Sequence, residues 1–178
     1  MNRRVAVVTG AAGGQGGAIA KRLLADGFSV AACDRRADEL AAARWEAAVG
    51  AVIDRFGSVS ALVTGAGVLH RASLADETAE GFENAWRVNC FGAFLGIQAT
   101  SEQLRAAAPA AVVNICSTGA IRLVPRHCAY GSSKWALRAA GRDRRRRSSP
   151  GRSRSSTAGN AFRGDEATAA ARRVGSGE

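Results

Sequence analysis

A tyrosine and a lysine stand four residues apart in the segment Tyr130-Gly131-Ser132-Ser133-Lys134. On a helix, residues at this spacing share one face, so the phenol and the ammonium would be neighbours. A free phenol has a pKa of about 10 and is a poor base at neutral pH, but a nearby ammonium favours the phenolate. The pair therefore predicts acid–base chemistry, in which Tyr130 exchanges a proton with the oxygen of an alcohol or a carbonyl group.

Two further polar residues precede this pair. Ser117 follows a predicted strand and lies 13 residues before Tyr130, and its hydroxyl is suited to hold a substrate oxygen on which charge changes. Asn89 lies on a mostly apolar predicted helix, where an amide suggests a role in ordering water. A Tyr-x-x-x-Lys spacing alone is common and compatible with a purely structural role. The prediction of catalysis therefore depends on all four residues occurring together.

A glycine-rich segment near the N-terminus, Thr9-Gly10-Ala11-Ala12-Gly13-Gly14-Gln15-Gly16, fits the pattern T-G-x-x-x-G-x-G. It follows a short apolar strand and opens a helix, which is where a glycine turn binds the pyrophosphate of a dinucleotide. In this interpretation Gly10 allows the tight turn, Gly14 lets the backbone approach the phosphates, and Gly16 lets the helix pack closely on the strand. The alternative is a turn with a structural role only.

Asp34 closes the second predicted strand, 18 residues after Gly16. A carboxylate at this place accepts hydrogen bonds from the adenosine ribose and repels a 2′-phosphate, which favours NAD over NADP. Arg35 and Arg36 argue the other way because either can pair with a phosphate, so NADP is the less favoured alternative. The structural alternative for Asp34 is a helix-capping acid.

Strands and helices alternate along the chain, as an α/β fold with a parallel sheet requires. Glycine and proline residues mark the boundaries between them. The predicted strands are Val5–Thr9, Ser29–Cys33, Ala61–Thr64 and Ala111–Cys116. The predicted helices are Gly17–Ala25, Ala37–Phe56, Ala79–Thr100 and Tyr130–Ala140.

The 178 residues suffice for about one domain, and 47% of them are hydrophobic. The net charge of +10 is uneven, since +6 of it falls on residues 142–178, a segment rich in arginine, serine and glycine. Such a segment cannot bury enough apolar surface to order itself. We therefore predict a dinucleotide-binding domain over residues 1–141 and a disordered basic tail over residues 142–178.

The composition also restricts location and ligands. No apolar stretch is long enough for a transmembrane helix, and the N-terminus lacks the pattern of a signal peptide, so we expect a cytoplasmic protein without a membrane partner. The four cysteines form no C-x-x-C pair, and His70 and His127 have no ligand spacing around them, so no metal site is expected. Nucleic-acid binding through the basic tail is a lower alternative, because aromatic residues for base stacking are not interleaved there.

Taken in order, the motifs resemble those of the short-chain dehydrogenase/reductase family over about residues 4–141. The segments that carry the resemblance are T-G-A-A-G-G-Q-G, C-D, T-G-A-G, R-V-N-C-F-G, V-V-N-I-C-S and Y-G-S-S-K. The resemblance implies a Rossmann-type, doubly wound parallel sheet and NAD(P)-dependent oxidation of alcohols or reduction of ketones. Among subgroups the chain looks like the 3-oxoacyl-carrier-protein reductase and hydroxysteroid dehydrogenase type.

The resemblance also implies a role for each site residue. Tyr130 is then the acid/base, Lys134 binds the nicotinamide ribose and tunes Tyr130, Ser117 positions the substrate, and Asn89 completes a proton relay. The implied cofactor contacts are Thr9, Gly10, Gly14, Gln15, Gly16, Asp34, Ala66, Gly67, Tyr130 and Lys134. Relatives assemble through their long helices, which implies a homodimer, whereas a shortened last helix argues against a tetramer.

Three departures from the family pattern stand out. Thr64-Gly65-Ala66-Gly67 replaces the usual N-N-A-G, and we expect a modest loss of stability. Only 26 residues separate Asp34 from Ala61, so a strand-plus-helix unit is missing, the sheet loses an edge strand and cofactor affinity falls. The resemblance stops after Arg138, where relatives add further strands and a substrate lid. A truncated chain of this kind leaves a non-catalytic NAD-binding module as the alternative to an oxidoreductase.

Overall fold

Five parallel strands form one sheet in the order β2-β1-β3-β4-β5. The computed structural model describes residues 4–34, 42–122, 124–147 and 154–158, with the backbone alone at 142–147 and 154–158. The strands are β1 (Val5–Thr9), β2 (Ser29–Cys33), β3 (Ala61–Thr64), β4 (Ala111–Ile115) and β5 (Arg154–Ala158). The four strands predicted from the sequence are confirmed, β4 being one residue shorter, and so is the Rossmann-type parallel sheet.

Helices connect the strands. They are α1 (Gly14–Ala25), α2 (Ala42–Phe56), α3 (Ala79–Trp86), α4 (Gly92–Ala106) and α5 (Cys128–Arg147). A π-helical segment, Arg87–Phe91, joins α3 to α4, and a short 3₁₀ turn, Thr118–Ala120, follows β4. The prediction of one continuous α-helix over Ala79–Thr100 is therefore wrong. Apolar spacing does not reveal a single wider turn, because the helix continues in the same direction on both sides of it.

Apolar side chains cover both faces of the sheet. On one face, residues of α2 and α4 pack on β1, β3 and β4 in a cluster that includes Val52, Leu62 and Leu104. On the other face, α1 packs on the sheet through Ala20, which clusters with Val8. The strands of the sheet interior are buried on both sides, so they read in sequence as short continuous apolar runs.

The order of the strands creates a crevice at the centre of the sheet. From β1 the chain proceeds outward to β2 and then returns to the other side of β1 as β3, which pairs with β1 in register from Ala6 opposite Ala61 to Thr9 opposite Thr64. Loops that leave neighbouring strands in opposite directions open a crevice at the carboxyl ends of those strands. Two glycine-rich turns, after Thr9 and after Thr64, meet at this crevice.

The observed strand order is compatible with the expected loss of an edge strand. β2 forms one edge of the sheet, and among the described residues α2 alone lies between it and β3. The part of the predicted second helix from Ala37 to 41 lies outside the described residues. Where α2 crosses α4, Gly96 leaves room for the indole of Trp45, since a Cβ at this glycine would lie only 2.7 Å from the ring.

The expected weakness at Thr64 has a structural counterpart in the sheet. The Thr64 hydroxyl donates a hydrogen bond of 2.9 Å to the Oδ1 of Asn114 on β4. The Nδ2 of the same buried amide has no partner among the described residues. A buried donor without an acceptor costs stability. The modest loss of stability from the replaced N-N-A-G pattern stays a prediction.

The C-terminal segment is partly regular. The last helix continues beyond Ala140 to Arg147, and β5 pairs with β4 from Ala111 opposite Arg154 to Ile115 opposite Ala158. These two segments differ from the disorder predicted over residues 142–178. Arginine favours helices, and a strand can bond to an open sheet edge through its backbone alone, so neither segment needs apolar side chains. Residues 148–153 and 159–178 lie outside the described residues.

None of the helices within the described residues has the length and apolar character that a membrane span requires.

Candidate active site

The two glycine-rich turns at the carboxyl ends of β1 and β3 pack directly on each other. Gly10 has a φ of +71°, and a Cβ on it would lie 2.7 Å from the backbone nitrogen of Ala66. Thr9 joins the turns, because its hydroxyl oxygen accepts hydrogen bonds from the backbone N–H groups of Gly65 (3.1 Å) and Ala66 (3.2 Å). A side chain at position 10 would therefore separate the two turns as well as strain the backbone.

The glycines at the start of α1 divide into two kinds. A Cβ on Gly16 would collide with the backbone carbonyl of Gly10, so this glycine is required for packing. A Cβ on Gly14 would have nothing within 4 Å, so the space beside this glycine is open. No side chain caps the helix at Gly13, and the first turn contains no acidic residue. The positive end of α1 is thus accessible to an anion such as a pyrophosphate.

Asp34 lies at the carboxyl end of β2, beside the first glycine-rich turn. Its Oδ2 accepts a hydrogen bond of 2.8 Å from the backbone N–H of Ala12, and the residue is exposed. Parallel pairing extends past the strand itself, since the N–H of Ala11 donates to the carbonyl of Cys33. The carboxylate is therefore held at the outer edge of the turn. Arg35 and Arg36 lie outside the described residues.

Asn89 lies in the π-helical segment and is 1% exposed. Its Oδ1 accepts a hydrogen bond from the backbone N–H of Val68 (2.8 Å), and its Nδ2 donates to the carbonyl of Val68 (3.0 Å). The same Nδ2 donates to the hydroxyl of Ser133 on α5 (3.0 Å). The amide thus joins the loop after β3 to α5.

Lys134 is buried between the sheet and the π-helical segment, with 5% of its surface exposed. Its Nζ donates a hydrogen bond of 3.0 Å to the carbonyl of Ile115 at the end of β4. A Cβ on Gly67 would lie 3.3 Å from this Nζ and 3.1 Å from the Oδ1 of Asn89, so both groups border the second glycine-rich turn. Burial lowers the pKa of the Lys134 ammonium, and the thiols of Cys116 and Cys90 partly oppose that shift.

Tyr130 and Lys134 lie on the same side of α5, as their spacing predicts. The Nζ of Lys134 is 6.0 Å from the centre of the Tyr130 ring. Ser117 lies close by on the other side of Gly119, because a Cβ on this glycine would be 3.5 Å from the Ser117 Oγ and 3.6 Å from the Tyr130 Cε1. Ser117, Tyr130 and Lys134 therefore meet at the carboxyl end of β4.

The hydroxyl of Ser117 forms a hydrogen bond within its own loop. Its Oγ accepts a hydrogen bond of 3.1 Å from the backbone N–H of Gly119. That contact uses a lone pair and leaves the hydroxyl proton available. Among the described residues this proton has no acceptor, so Ser117 can donate to an oxygen placed beside Tyr130.

The chain also contains four thiols and two imidazoles. The cysteines are free, and burial raises the pKa of the Cys90 thiol despite the opposing effect of the Lys134 ammonium. His70 lies 2.9 Å from a carboxylate oxygen of the buried Glu77 side chain. In the portion of the chain with described positions, no group of three His, Cys, Asp or Glu residues can hold a metal ion.

Two structural features of the site were not predicted from the sequence. One is the π-helical turn that carries Asn89, and the other is the contact of Asn89 with Ser133. Ser133 stands inside the Tyr130–Lys134 segment, so its position was visible, but its partner is 44 residues away. Spacing along one helix cannot reveal a contact with another helix.

Comparisons with known proteins agree on one family. The family model described as short chain dehydrogenase matches residues 4–48 and 41–150. The chain is 33% identical to 2-(R)-hydroxypropyl-CoM dehydrogenase of Xanthobacter autotrophicus, covering 75% of this chain and 64% of that protein. It is 31% identical to D-threitol dehydrogenase of Mycolicibacterium smegmatis, covering 77% and 61%. The chain thus spans less than two thirds of the length of these curated relatives.

Solved structures have the same fold. An alcohol dehydrogenase from the archaeon Thermococcus sibiricus, complexed with 5-hydroxy-NADP, superimposes with a TM-score of 0.74 at 25% identity, covering 87% of this chain and 74% of that one. An NAD⁺-bound xylitol dehydrogenase gives a TM-score of 0.74 at 26% identity, covering 79% and 63%. The glycine-rich turns, the order of the strands and the family match lead to one conclusion: the chain belongs to the short-chain dehydrogenase family.

Proposed function

We propose that the protein is an NAD(P)-dependent oxidoreductase that interconverts a secondary alcohol and a ketone. The observation that carries the proposal is the meeting of Tyr130, Lys134 and Ser117 at the end of β4, beside an open glycine-rich turn. A phenol that shares its side of α5 with a buried ammonium is suited to exchange a proton with a substrate oxygen. The two relatives described above are dehydrogenases named for hydroxylated compounds, and they support the same class of reaction.

Each site residue has a separate role in the proposed reaction. A nicotinamide cofactor held at the glycine-rich turns would supply hydride-transfer chemistry at the substrate carbon. In oxidation the Tyr130 phenolate takes the proton of the substrate hydroxyl, and in reduction the phenol returns it. Ser117 donates a hydrogen bond to the same oxygen through its unused proton. Lys134 supplies positive charge beside the phenolate, and Asn89 supports the loop that borders Lys134.

The glycine-rich turns fit a dinucleotide. The uncapped start of α1, open beside Gly14, suits the pyrophosphate. Ala66 and Gly67, on the neighbouring turn, are proposed to contact the adenosine side, with Thr9 and Gly10 holding the two turns together and Gln15 beside the phosphates. The exposed carboxylate of Asp34 favours a ribose with a free 2′-hydroxyl, so we propose NAD rather than NADP.

The substrate is proposed to be a small secondary alcohol or the corresponding ketone. The 3-oxoacyl-carrier-protein reductase and hydroxysteroid dehydrogenase subtypes stay a prediction.

Pairs of partly exposed aromatic rings, Phe82 with Trp86 and Phe91 with Phe94, lie along α3 and its continuation. They support assembly into a homodimer, which sedimentation velocity on the purified chain tests. The cytoplasmic location also stays a prediction.

A non-catalytic NAD-binding module is the second candidate function. The observation that favours it is the first glycine-rich turn, whose open space beside Gly14 can receive a dinucleotide whether or not a reaction follows.

Purified full-length chain distinguishes the two candidates. NADH fluorescence measures binding, and absorbance at the nicotinamide band measures turnover with a panel of ketones and secondary alcohols. Binding with turnover supports the oxidoreductase. Binding without turnover on any member of the panel supports the module, and the absence of binding overturns both.

A further inference from the structure

Ser133 occupies an unusual place in the site, between the two functional residues of α5. It is fully buried, at 0% exposure, and lies directly before Lys134. Its Oγ donates a hydrogen bond of 2.7 Å to the carbonyl of Tyr130 and accepts one of 3.0 Å from the Nδ2 of Asn89. One hydroxyl thus contacts the backbone of the proposed acid/base and the side chain of Asn89.

The hydrogen bonds around this hydroxyl have a fixed direction. A serine has one proton, and Ser133 gives it to the Tyr130 carbonyl, so toward Asn89 it can only accept. The Nδ2 of Asn89 must therefore face α5, and both of its protons are used, one on Ser133 and one on the Val68 carbonyl. The Oδ1 then faces the Val68 N–H. A flipped amide would lose all three matches, so Val68 and Ser133 together fix the orientation of Asn89, and Ser133 provides the bond that joins this amide to α5.

The chain of bonds sets the spacing of three elements. It runs from the loop after β3 at Val68, through the π-helical segment at Asn89, to α5 at Ser133. Gly67, the neighbour of Val68, borders the Lys134 Nζ. Loss of the Ser133 bond would remove one restraint between α5 and this second glycine-rich turn. Small displacements of reacting groups have large effects on rate.

We propose that Ser133 is a positioning residue, which holds the Tyr130–Lys134 turn of α5 in register with Asn89 and the loop after β3. The inference rests on the proposed oxidoreductase function. Ser133 touches neither substrate nor cofactor in this scheme. It acts through its hydrogen bonds to the side-chain amide of Asn89 and to the carbonyl of Tyr130.

The chain provides a matched control in the adjacent serine. Ser132 makes the same kind of bond within α5, to the carbonyl of Ala129 at 3.0 Å. Its hydroxyl accepts a hydrogen bond from the Nε1 of Trp86 rather than from Asn89. The variants Ser133→Ala and Ser132→Ala therefore each remove one hydroxyl and one bond to the backbone of α5, but only Ser133→Ala releases Asn89.

The first measurement is independent of turnover. The side-chain amide of Asn89 is followed by NMR in ¹⁵N-labelled full-length protein, by chemical shift and by hydrogen exchange. In Ser133→Ala one Nδ2 proton loses its acceptor, and we expect it to shift and to exchange about tenfold faster or more. In Ser132→Ala both protons should behave as in the parent. An unchanged Asn89 signal in folded Ser133→Ala overturns the proposal.

The second measurement is steady-state kinetics. We expect Ser133→Ala to lower kcat by about tenfold or more with NADH affinity within about twofold of the parent, while Ser132→Ala leaves both unchanged. A shifted Asn89 signal with an unaltered kcat overturns the proposal, because the contact is then structural only. A parent that binds NADH without turnover refutes the proposed function, and the NMR result then decides the coupling of Ser133 to Asn89 separately.

A second variant covers the case in which Ser133→Ala does not fold. Ser133→Cys is close in size, and its thiol is a weak hydrogen-bond partner. We expect the same changes in the Asn89 signals and in kcat, in smaller degree. Parent-like signals and a parent-like kcat in Ser133→Cys overturn the proposal.

Discussion

The glycine-rich turn after β1 and the Asn89–Ser133–Lys134 cluster lie at the same end of the sheet, but different forces hold them. The turn is shaped by backbone contacts that only glycine permits, as at Gly10 and Gly16, and it faces open space beside Gly14. The cluster is almost fully buried and is held by side-chain hydrogen bonds from three elements. A nucleotide can bind to a surface that backbone shape alone defines, whereas proton transfer needs side chains whose orientation is fixed.

This difference predicts that changes in the two regions have separable effects. Substitutions in the buried cluster should alter turnover and the response to pH. Substitutions in the turn should alter nucleotide binding, and they should affect stability only where a backbone contact is crowded. The four predictions below test this separation, from the largest expected effect to the smallest.

The largest effect is expected from Tyr130→Phe. The substitution removes the phenolic oxygen and keeps the ring, so the packing of α5 should survive. Because general acid–base catalysis contributes about a hundredfold to ten-thousandfold, we expect a loss of turnover in this range. Nicotinamide absorbance measures turnover, and NADH fluorescence should give parent-like binding. A variant that retains more than a tenth of the parent's turnover would remove Tyr130 from the proposed role.

Gly16→Ala and Gly14→Ala test the turn. The added methyl at position 16 meets the backbone of Gly10, so we expect the free energy of unfolding to fall by about 2 kcal/mol. At position 14 the methyl enters open space at the start of α1, so stability should be retained or slightly raised. Urea unfolding measures both.

NADH binding then separates the two glycines further. Gly14→Ala places its methyl where the phosphates are proposed to lie, so affinity for NADH should fall in a protein of full stability. If Gly14→Ala binds NADH as the parent does, the open space beside this glycine is not the phosphate site.

A smaller effect is expected from Asp34→Ala. The exposed carboxylate repels a 2′-phosphate, so its removal should raise the ratio of NADPH affinity to NADH affinity by about tenfold. The control is Asp26→Ala, because Asp26 is also exposed and pairs with Arg22 at the far end of α1. Fluorescence titrations with both nucleotides give the ratio. An unchanged ratio in Asp34→Ala would assign nucleotide selection to another residue.

The smallest effect concerns pH and stability. Burial lowers the pKa of Lys134 below its ordinary value of 10.5, so between the two values the unfolded chain binds more protons than the folded chain. The contribution of Lys134 to the free energy of unfolding therefore rises with pH in that window. Lys134→Met should lack this rise, and Lys21→Met, which changes an exposed lysine of α1, should keep it. Urea unfolding at several pH values tests this, and parallel pH curves for the parent and Lys134→Met would contradict it.

Much of the fold could be predicted from local patterns. Four strands were predicted at their observed starting residues, because short apolar runs between glycines and acidic or polar residues are distinctive. The single-helix prediction over Ala79–Thr100 failed at the π-helical segment, which inserts a wider turn without interrupting the apolar pattern. The segment Arg154–Ala158 was predicted to be disordered, because its composition contains no sign of the neighbouring β4 edge that it pairs with.

The first glycine-rich turn and the buried cluster of Asn89, Ser133 and Lys134 could be predicted from the sequence to different degrees. Each glycine of the first turn could be assigned a role from its position between a strand and a helix. The shared side of Tyr130 and Lys134 followed from their helical spacing. The partners of Asn89 were not predictable, since Val68 lies 21 residues before it and Ser133 lies 44 residues after it.

The sequence by itself determined the alternation of strands and helices, the glycine turn and the tyrosine–lysine pair, because each of these depends on neighbours within one or two turns of the chain. Only the tertiary structure decided how deeply Lys134 is buried, which way the Asn89 amide points and that this amide donates to Ser133. These properties depend on the distances between elements that are remote in sequence. Such distances are set when apolar faces pack on both sides of the sheet.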